Sequence, residues 1–229
     1  KRQNEAMALV FRQIMSMCLS MERPLKVAFL GPEGTFTHEA ALKHFGKSVI
    51  NAPQPAIEDV FREVVSGECD FGVVPVENST EGMVNQTLDN FVDTTLSIVG
   101  EVELQIHHHL LIGPNSDAKQ ITRVYSHSQS LAQCRKWLDS NYPKIEQIPV
   151  SSNAIAAKLA QGEWNSAAIA GLSSCDLYGL KQLESKIEDQ PDNATRFLII
   201  GREKVSASGH DKTSIAVSYT HLRAHETRI

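Results

Sequence analysis

The feature that most constrains the fold is a regular alternation of short apolar segments with helical patterns near the start of the chain. The apolar segments are KVAFLG from Lys26, a segment near Ser48–Asn51, and DFGVVPV up to Val76, and between them lie HEAALKHF and AIEDVFREVVSG. Strands that are joined through a helix usually pair in parallel. This β-α-β-α-β order therefore predicts a parallel sheet with helices on both faces.

A second alternating set follows a long strand-like segment, LSIVGEVELQIHHHLLIG. The segments of that set that are typical of strands are ITRVYSH, IEQIPV and SAAIAG, and those typical of helices are SLAQCRKWLDSN, SNAIAAKLAQG and LSSCDLYGL. A later segment, RFLIIG, is typical of a strand that returns late in the chain. We predict an α/β fold of two lobes, with mainly parallel sheets, around a cleft, similar to type II periplasmic binding proteins. Ligands of such folds bind at strand carboxyl ends and helix N-termini.

The predicted organisation divides the chain into five parts. An amphipathic N-terminal helix occupies residues 1–23, the first lobe residues 26–103 plus 190–203, the second lobe residues 104–189, the opening strand of a further domain residues 210–218, and a non-native tail residues 219–229. The helix has its apolar residues at helical spacing, so this stripe must pack on another part of the protein.

The composition excludes several classes of protein. Hydrophobic residues make up 41% and charged residues 21%, as in ordinary soluble proteins, and the formal net charge of −5 gives no basic face for nucleic acid. The four cysteines include no C-x-x-C pair, which indicates free thiols in a reducing compartment. We find no signal peptide and no apolar run that could span a bilayer, so we expect a cytoplasmic protein without membrane or nucleic-acid partners.

Polar residues gather at four strand-to-helix junctions and at the start of the last strand. The junctions are GPEGTFT with Thr35, VPVENSTEG with Glu77, Asn78 and Ser79, YSHSQSLAQC with Ser126, His127 and Gln133, and SSNA with Ser152 and Asn153; the last strand begins with Thr195, Arg196 and Phe197. Glycines and helix N-termini at such junctions favour an anion. The alternative at each junction is helix capping, by Thr37 in the first and by Ser79 or Thr80 in the second.

Together these residues predict a pocket for a small polyanion, in which Arg196 neutralises a carboxylate and Thr195 donates a hydrogen bond. We expect neither a metal nor a cofactor. The three adjacent histidines at 107–109 would point to alternating faces of a strand, and no cysteine or carboxylate cluster accompanies them. A serine hydrolase lacks support because the chain has no G-x-S-x-G elbow.

Four motifs, in order, resemble those of the prephenate dehydratase family: KVAFLGPEGTFTHEAA, FGVVPVENSTEG, VYSHSQSLAQC and DNATRFLIIG. The resemblance covers about residues 26–201. The N-terminal helix resembles the last helix of a chorismate mutase domain, and DKTSIAVS resembles the first strand of an ACT regulatory domain. The loop SHSQ departs from the Ser-His-Pro-Gln common in the family, and Asn153 stands where threonine is common.

The resemblance implies a lyase that converts prephenate to phenylpyruvate, water and carbon dioxide in phenylalanine biosynthesis. It implies that Thr195 is the essential hydroxyl, that Glu77, Asn78 and Gln133 take part in catalysis, and that the substrate is bound by Arg196, Phe197, Thr35, Ser79, Ser126, His127, Ser152 and Asn153. It also implies a homodimer, with L-phenylalanine regulation only where a complete ACT domain is present. The alternative from another class is a non-catalytic two-lobe binding module for a small carboxylate.

Overall fold

Two mixed β-sheets, each flanked by helices, form two lobes of the molecule. This is the architecture of a computed structural model of the chain. The described residues are 23–206, together with Met7, Val10, Phe11, Ile14, Met15, Gly209 and Lys212.

The first lobe is built on a six-stranded sheet in the order β2-β1-β3-β11-β5, with the short β4 paired to β3. Its strands are β1 (Lys26–Leu30), β2 (Ile50–Gln54), β3 (Phe71–Asn78), β4 (Gly82–Met83), β5 (Ser97–Gln105) and β11 (Ala194–Gly201). Helices α1 (Phe36–Phe45), α2 (Ile57–Ser66) and α3 (Asn85–Val92) cover it. Two separate buried clusters of apolar side chains belong to this lobe, as expected when helices pack on a sheet that is buried on both faces.

The second lobe has a five-stranded sheet in the order β10-β6-β9-β7-β8. Its strands are β6 (His109–Ile112), β7 (Arg123–His127), β8 (Glu146–Val150), β9 (Ser166–Ala170) and β10 (Lys181–Glu184). Its helices are α4 (Ser128–Gln133), α5 (Arg135–Asn141), α6 (Asn153–Gly162) and α7 (Ser173–Tyr178), and a 3₁₀ turn spans Ala118–Gln120. Small residues on α6 and β9 let this helix lie close to the sheet.

The prediction of two α/β lobes is confirmed, but the sheets are mixed, not mainly parallel. Strand β1 runs parallel to β2 and β3, and β7 runs parallel to β8 and β9. Strand β11 is antiparallel to β3 and β5, and β6 is antiparallel to β9 and β10. The antiparallel strands β6 and β11 each follow a segment that connects one lobe to the other. No helical crossover leads into them, so parallel pairing is not imposed.

The segment predicted as one long strand is two strands in different sheets. Strand β5 ends at Gln105 and β6 begins at His109. Between them the Ile106 N–H donates to the Asn193 carbonyl at 2.8 Å, and the His108 N–H donates to Glu188 Oε2 at 2.9 Å. The chain passes from the first lobe to the second at residues 106–108 and comes back at residues 188–193. These hydrogen bonds join the two connecting segments, a long-range contact that strand periodicity does not reveal.

The helix predicted over SLAQCRKWLDSN is interrupted at Cys134, whose backbone lies at φ −111° and ψ 12°. The carboxylate of Asp189 accepts hydrogen bonds from the N–H groups of Lys136 and Trp137, at 3.0 and 3.2 Å. A distant residue thus satisfies the first N–H groups of a new helix, α5, which allows the chain to restart it. Strand β10 was not predicted, because KQLE carries little apolar signal.

The Gly-rich loop of the first lobe packs on α7 of the second. Ser174 Oγ donates to the Gly34 carbonyl at 3.2 Å, and Tyr178 Oη donates to the Glu33 carbonyl at 3.0 Å. Gly34 has φ +89°, and a Cβ there would lie 3.1 Å from the Tyr178 ring. Glycine is therefore required both for the turn and for the close approach of the lobes.

The predicted N-terminal helix is described only at Met7, Val10, Phe11, Ile14 and Met15, which are helical and exposed. The predicted segments 210–218 and 219–229 lie outside the described residues, apart from Lys212. Within the described part of the chain, every helix is too short or too polar to cross a bilayer.

Candidate active site

A cavity of about 480 Å³ lies where the two lobes meet. Such a volume is typical of pockets for small molecules. The lobes both contribute to its wall: Thr35, Phe36, Thr37, Pro75, Asn78, Thr195 and Phe197 come from the first, and His127, Ser130, Gln133, Ser152 and Asn153 come from the second, with Ile106, His108 and Asn193 from the crossings. Eight of the twelve residues predicted for the site therefore line one cavity.

A fixed amide orients the hydroxyl of Thr195 in this cavity. Asn78 Oδ1 accepts from the backbone N–H groups of Thr80 and Glu81, at 2.9 and 3.0 Å, so the Asn78 amide nitrogen must face the other way. That nitrogen donates to Thr195 Oγ1 at 2.8 Å. Because the oxygen of Thr195 already accepts, its own hydrogen is left to donate, and Thr195 becomes an oriented donor at the cavity wall.

Helix N-termini from both lobes border the cavity. Thr35 caps α1 by accepting from the His38 N–H at 3.4 Å, and Ser152 caps α6 by accepting from the Ile155 N–H at 3.1 Å. The expected cap at Thr37 is therefore wrong by two residues. Each helix directs a partial positive charge and unpaired N–H groups toward this end, which favours an anion between the lobes.

His127 and Ser126 are held by Asn153. Asn153 Oδ1 lies 3.0 Å from the His127 N–H and 2.9 Å from Ser126 Oγ. His127 Nδ1 in turn accepts from the Gln129 N–H at 3.3 Å, so the neutral ring carries its proton on Nε2 and can donate it. Ser126 is fully buried behind this wall and does not line the cavity.

The side chain of Gln133 is oriented by His108, a residue for which the sequence indicates no role in the site. His108 Nε2 lies 2.8 Å from Gln133 Oε1. Burial lowers the pKa of His108 and keeps the ring neutral. With the proton on Nε2 the ring donates to the Gln133 oxygen, and the Gln133 amide nitrogen remains as a donor to the cavity.

Glu77 and Arg196 do not line the cavity, contrary to the prediction. Arg196 lies opposite Glu77 in the β11–β3 ladder, and its Nη2 is 2.8 Å from Glu77 Oε2. Its Nη1 is 3.2 Å from Glu101 Oε2. Successive side chains of a strand point to opposite faces, so Thr195 and Asn78 face the cavity while Arg196 and Glu77 face away.

Ser79 also lies outside the cavity wall, where it closes the turn after β3. It accepts from the Ala194 N–H at 2.9 Å, and its own N–H donates to the Ala194 carbonyl at 2.9 Å. Neither Ser79 nor Thr80 caps the next helix, because α3 begins after Val84 without a side-chain cap. The turn instead joins the strand end of Asn78 to the returning chain near Thr195.

The polar groups of the cavity wall are mostly neutral; with them lie two helix N-termini, the aromatic rings of Phe36 and Phe197, and one carboxylate, that of Glu81. Lysine and arginine are absent from the described residues that line it. In the described part of the chain, no group of three or more His, Cys, Asp or Glu side chains could hold a metal ion. Apart from Glu81, the wall offers a ligand hydrogen-bond donors, the positive ends of two helices and apolar surface.

Fold and site together define a two-lobed α/β protein with a cavity between the lobes that two helix N-termini border. The sequence model of prephenate dehydratases matches residues 27–205. The chain therefore belongs to the prephenate dehydratase family.

Individual relatives agree with this assignment. The bifunctional chorismate mutase/prephenate dehydratase of Pseudomonas aeruginosa is 64% identical over 94% of this chain and 59% of its own length. The prephenate dehydratase of Bacillus subtilis is 37% identical over 83% of this chain and 69% of its own. A prephenate dehydratase from Arthrobacter aurescens, solved in complex with L-Phe, has a TM-score of 0.71 at 33% identity and covers 79% of this chain and 61% of that one. The chain spans about three fifths of the length of the bifunctional enzymes of Pseudomonas aeruginosa and Stutzerimonas stutzeri.

Proposed function

We propose that this chain catalyses the decarboxylating dehydration of prephenate to phenylpyruvate, as a carbon–oxygen lyase. Membership of the prephenate dehydratase family supports the substrate. The observation that carries the proposal is the 2.8 Å bond from Asn78 Nδ2 to Thr195 Oγ1, because it leaves the Thr195 hydroxyl as a donor in an anion-attracting cavity.

The reaction breaks two bonds of the substrate and makes its ring aromatic. The bond to the ring carboxylate breaks and releases carbon dioxide, its electron pair enters the ring, and the carbon–oxygen bond at the opposite ring position breaks. The departing hydroxide takes up one proton, ultimately from solvent, and leaves as water. Since aromatisation drives these changes, the protein has to orient the dianion and stabilise the charge that develops on the departing oxygen.

In the proposed site Thr195 donates a hydrogen bond to that departing oxygen. The N-termini of α1 and α6, the His127 Nε2–H and the Gln133 amide attract the carboxylates, and Phe36 and Phe197 contact the ring. A positioned donor that acts as the bond breaks contributes about two to four orders of magnitude in rate. Arg196, paired outside the cavity, supports the strand that presents Thr195.

Purified protein incubated with prephenate tests the proposal directly. Phenylpyruvate is followed by its absorbance in alkali, with the same protein heat-inactivated as the control for spontaneous breakdown. We expect saturable formation of phenylpyruvate without added metal or cofactor. Saturable binding of prephenate without turnover would instead favour a carboxylate-binding module. Dimer formation and L-phenylalanine regulation stay predictions from the family resemblance.

A further inference from the structure

We infer that Ser130 is a further substrate-binding residue, which donates a hydrogen bond from the second lobe to an anionic oxygen of the substrate. This inference rests on the proposed function, since it concerns the same cavity. Ser130 lies in α4, lines the cavity and is only 5% exposed.

The orientation of the Asn153 amide determines what Ser130 can do. The His127 N–H can only donate, so the Asn153 atom that accepts from it at 3.0 Å must be the oxygen, Oδ1. The Asn153 nitrogen is then the atom 2.9 Å from Ser130 Oγ, and it donates to that oxygen. Ser130 therefore acts as an acceptor toward Asn153, and its hydroxyl hydrogen must be donated elsewhere.

The cavity is the remaining direction for this hydrogen. Among residues 23–206 the Ser130 hydroxyl makes no hydrogen bond other than that from Asn153, although the side chain is buried. A buried donor without a partner is costly, and a ligand oxygen would remove that cost. The N-terminus of α6 lies on the same wall through Ser152 and Asn153, so the oxygen that fits this place carries negative charge.

The two lobes thus use the same arrangement. In the first, Asn78 accepts from two backbone N–H groups and donates to Thr195. In the second, Asn153 accepts from the His127 N–H, lies close to Ser126 Oγ, and donates to Ser130. Each lobe presents one oriented hydroxyl to the shared cavity. We assign the departing oxygen to Thr195 and a carboxylate, charged throughout the reaction, to Ser130.

A contact with a carboxylate that is charged before and during the reaction stabilises substrate and transition state alike, so its loss raises KM more than it lowers kcat. We expect Ser130→Ala to raise KM for prephenate about tenfold, in line with one lost hydrogen bond to a charged group, and to leave kcat within about threefold. Ser128→Ala is the matched control, because Ser128 is exposed, lies outside the cavity wall and is two residues away.

A second pair of variants guards against a folding defect. Ser130→Thr retains the hydroxyl and Ser130→Val has nearly the same shape without it, so their KM values should differ about tenfold at similar melting temperatures. Equal KM values for the Thr and Val variants, or a KM for Ser130→Ala within about twofold of that of the unmodified protein, would overturn the inference. Failure of the unmodified protein to turn over prephenate would instead refute the proposed function. In that case the dissociation constants of prephenate for the same variants, measured by calorimetry, decide the role of Ser130 by the same tenfold criterion.

Discussion

At the scale of single residues, the side-chain alternation of a strand separates the roles of Thr195 and Arg196. They are neighbours in the chain, yet Thr195 lines the cavity and Arg196 pairs with Glu77 and Glu101 on the other face of the sheet. A period of two residues cannot bring both to one ligand. In the proposed function the cavity therefore binds its anion through oriented neutral donors and helix N-termini, without a guanidinium.

The hydroxyl of Thr195 is the group whose loss should cost the most turnover. We expect Thr195→Val to lower kcat about a hundredfold or more and to change KM much less, because the donor acts mainly as the carbon–oxygen bond breaks. Steady-state phenylpyruvate formation measures both constants. Thr95→Val, at an exposed threonine outside the cavity wall, is the matched control and should leave both unchanged. A comparable loss in kcat from the control, or an unchanged kcat at Thr195, would contradict the assigned role.

The pairing of Arg196 gives a different expectation from that of a ligand-binding cation. The side chains of Arg196 and Glu77 are 32% and 46% exposed, so water screens their ion pair and its contribution to stability is at most about 1 kcal/mol. We expect Arg196→Ala to raise KM less than about threefold. The double variant with Arg196→Ala and Glu77→Ala should lose less free energy of unfolding than the sum of the losses in the two single variants, because either change alone already breaks the pair. Urea unfolding of the unmodified protein, the two single variants and the double variant measures this coupling. A large rise in KM for Arg196→Ala would instead indicate that Arg196 binds the substrate.

At the scale of elements, the ends of helices and strands depend on partners far away in sequence. Thr35 caps α1 locally, as junction chemistry suggested, although by two residues from the expected position. The start of α5 depends on Asp189, and the turn after β3 depends on Ala194. Such elements can be recognised from local sequence because their apolar periodicity is strong. Local sequence does not reveal the distant hydrogen-bond acceptor that decides where one helix stops and another begins.

The contact between the Gly-rich loop and α7 can be tested through Gly34. A Cβ at Gly34 would combine a positive φ of +89° with a 3.1 Å approach to Tyr178. We expect Gly34→Ala to destabilise the protein by about 2 kcal/mol and to raise KM, since this loop leads to the N-terminus of α1. Gly179→Ala isolates the cost of conformation, because its φ is +62° with open space around it. Urea unfolding should show the larger loss at Gly34; equal losses would mean that the lobe contact contributes nothing.

At the scale of the whole molecule, the pattern of apolar and polar residues predicts the two-lobe architecture better than it predicts the directions of the strands or which residues line the cavity. Strands such as DFGVVPV are so apolar that their burial is evident from sequence, and polar residues at their ends mark the cleft. His108 and Ser130 were missed as site residues because their significance lies in what they bond to, Gln133 and Asn153, and those contacts form only in the folded chain. Glu77 and Arg196 were included because motif proximity gives no information about which face a side chain takes.

Three histidines buried in the fold should make its stability depend on pH. Burial lowers the pKa of His38, His108 and His109, so the folded chain keeps them neutral at a pH where the unfolded chain, with histidines near pKa 6.5, takes up protons. Unfolding therefore binds protons, and the free energy of unfolding falls as pH drops through about 6.5, by up to about 1.4 kcal/mol per pH unit for each histidine.

Glu39 has the opposite effect on the free energy of unfolding. Burial raises its pKa, so as the pH falls the folded protein binds this proton before the unfolded chain does, which stabilises the fold. One such group offsets only part of the effect of three histidines. We expect urea unfolding at about pH 7, 6 and 5 to give a steadily decreasing free energy, and His109→Gln to flatten the decrease relative to the unmodified protein. A free energy of unfolding that is the same at all three values would show that the buried histidines take up their protons without opposing the fold.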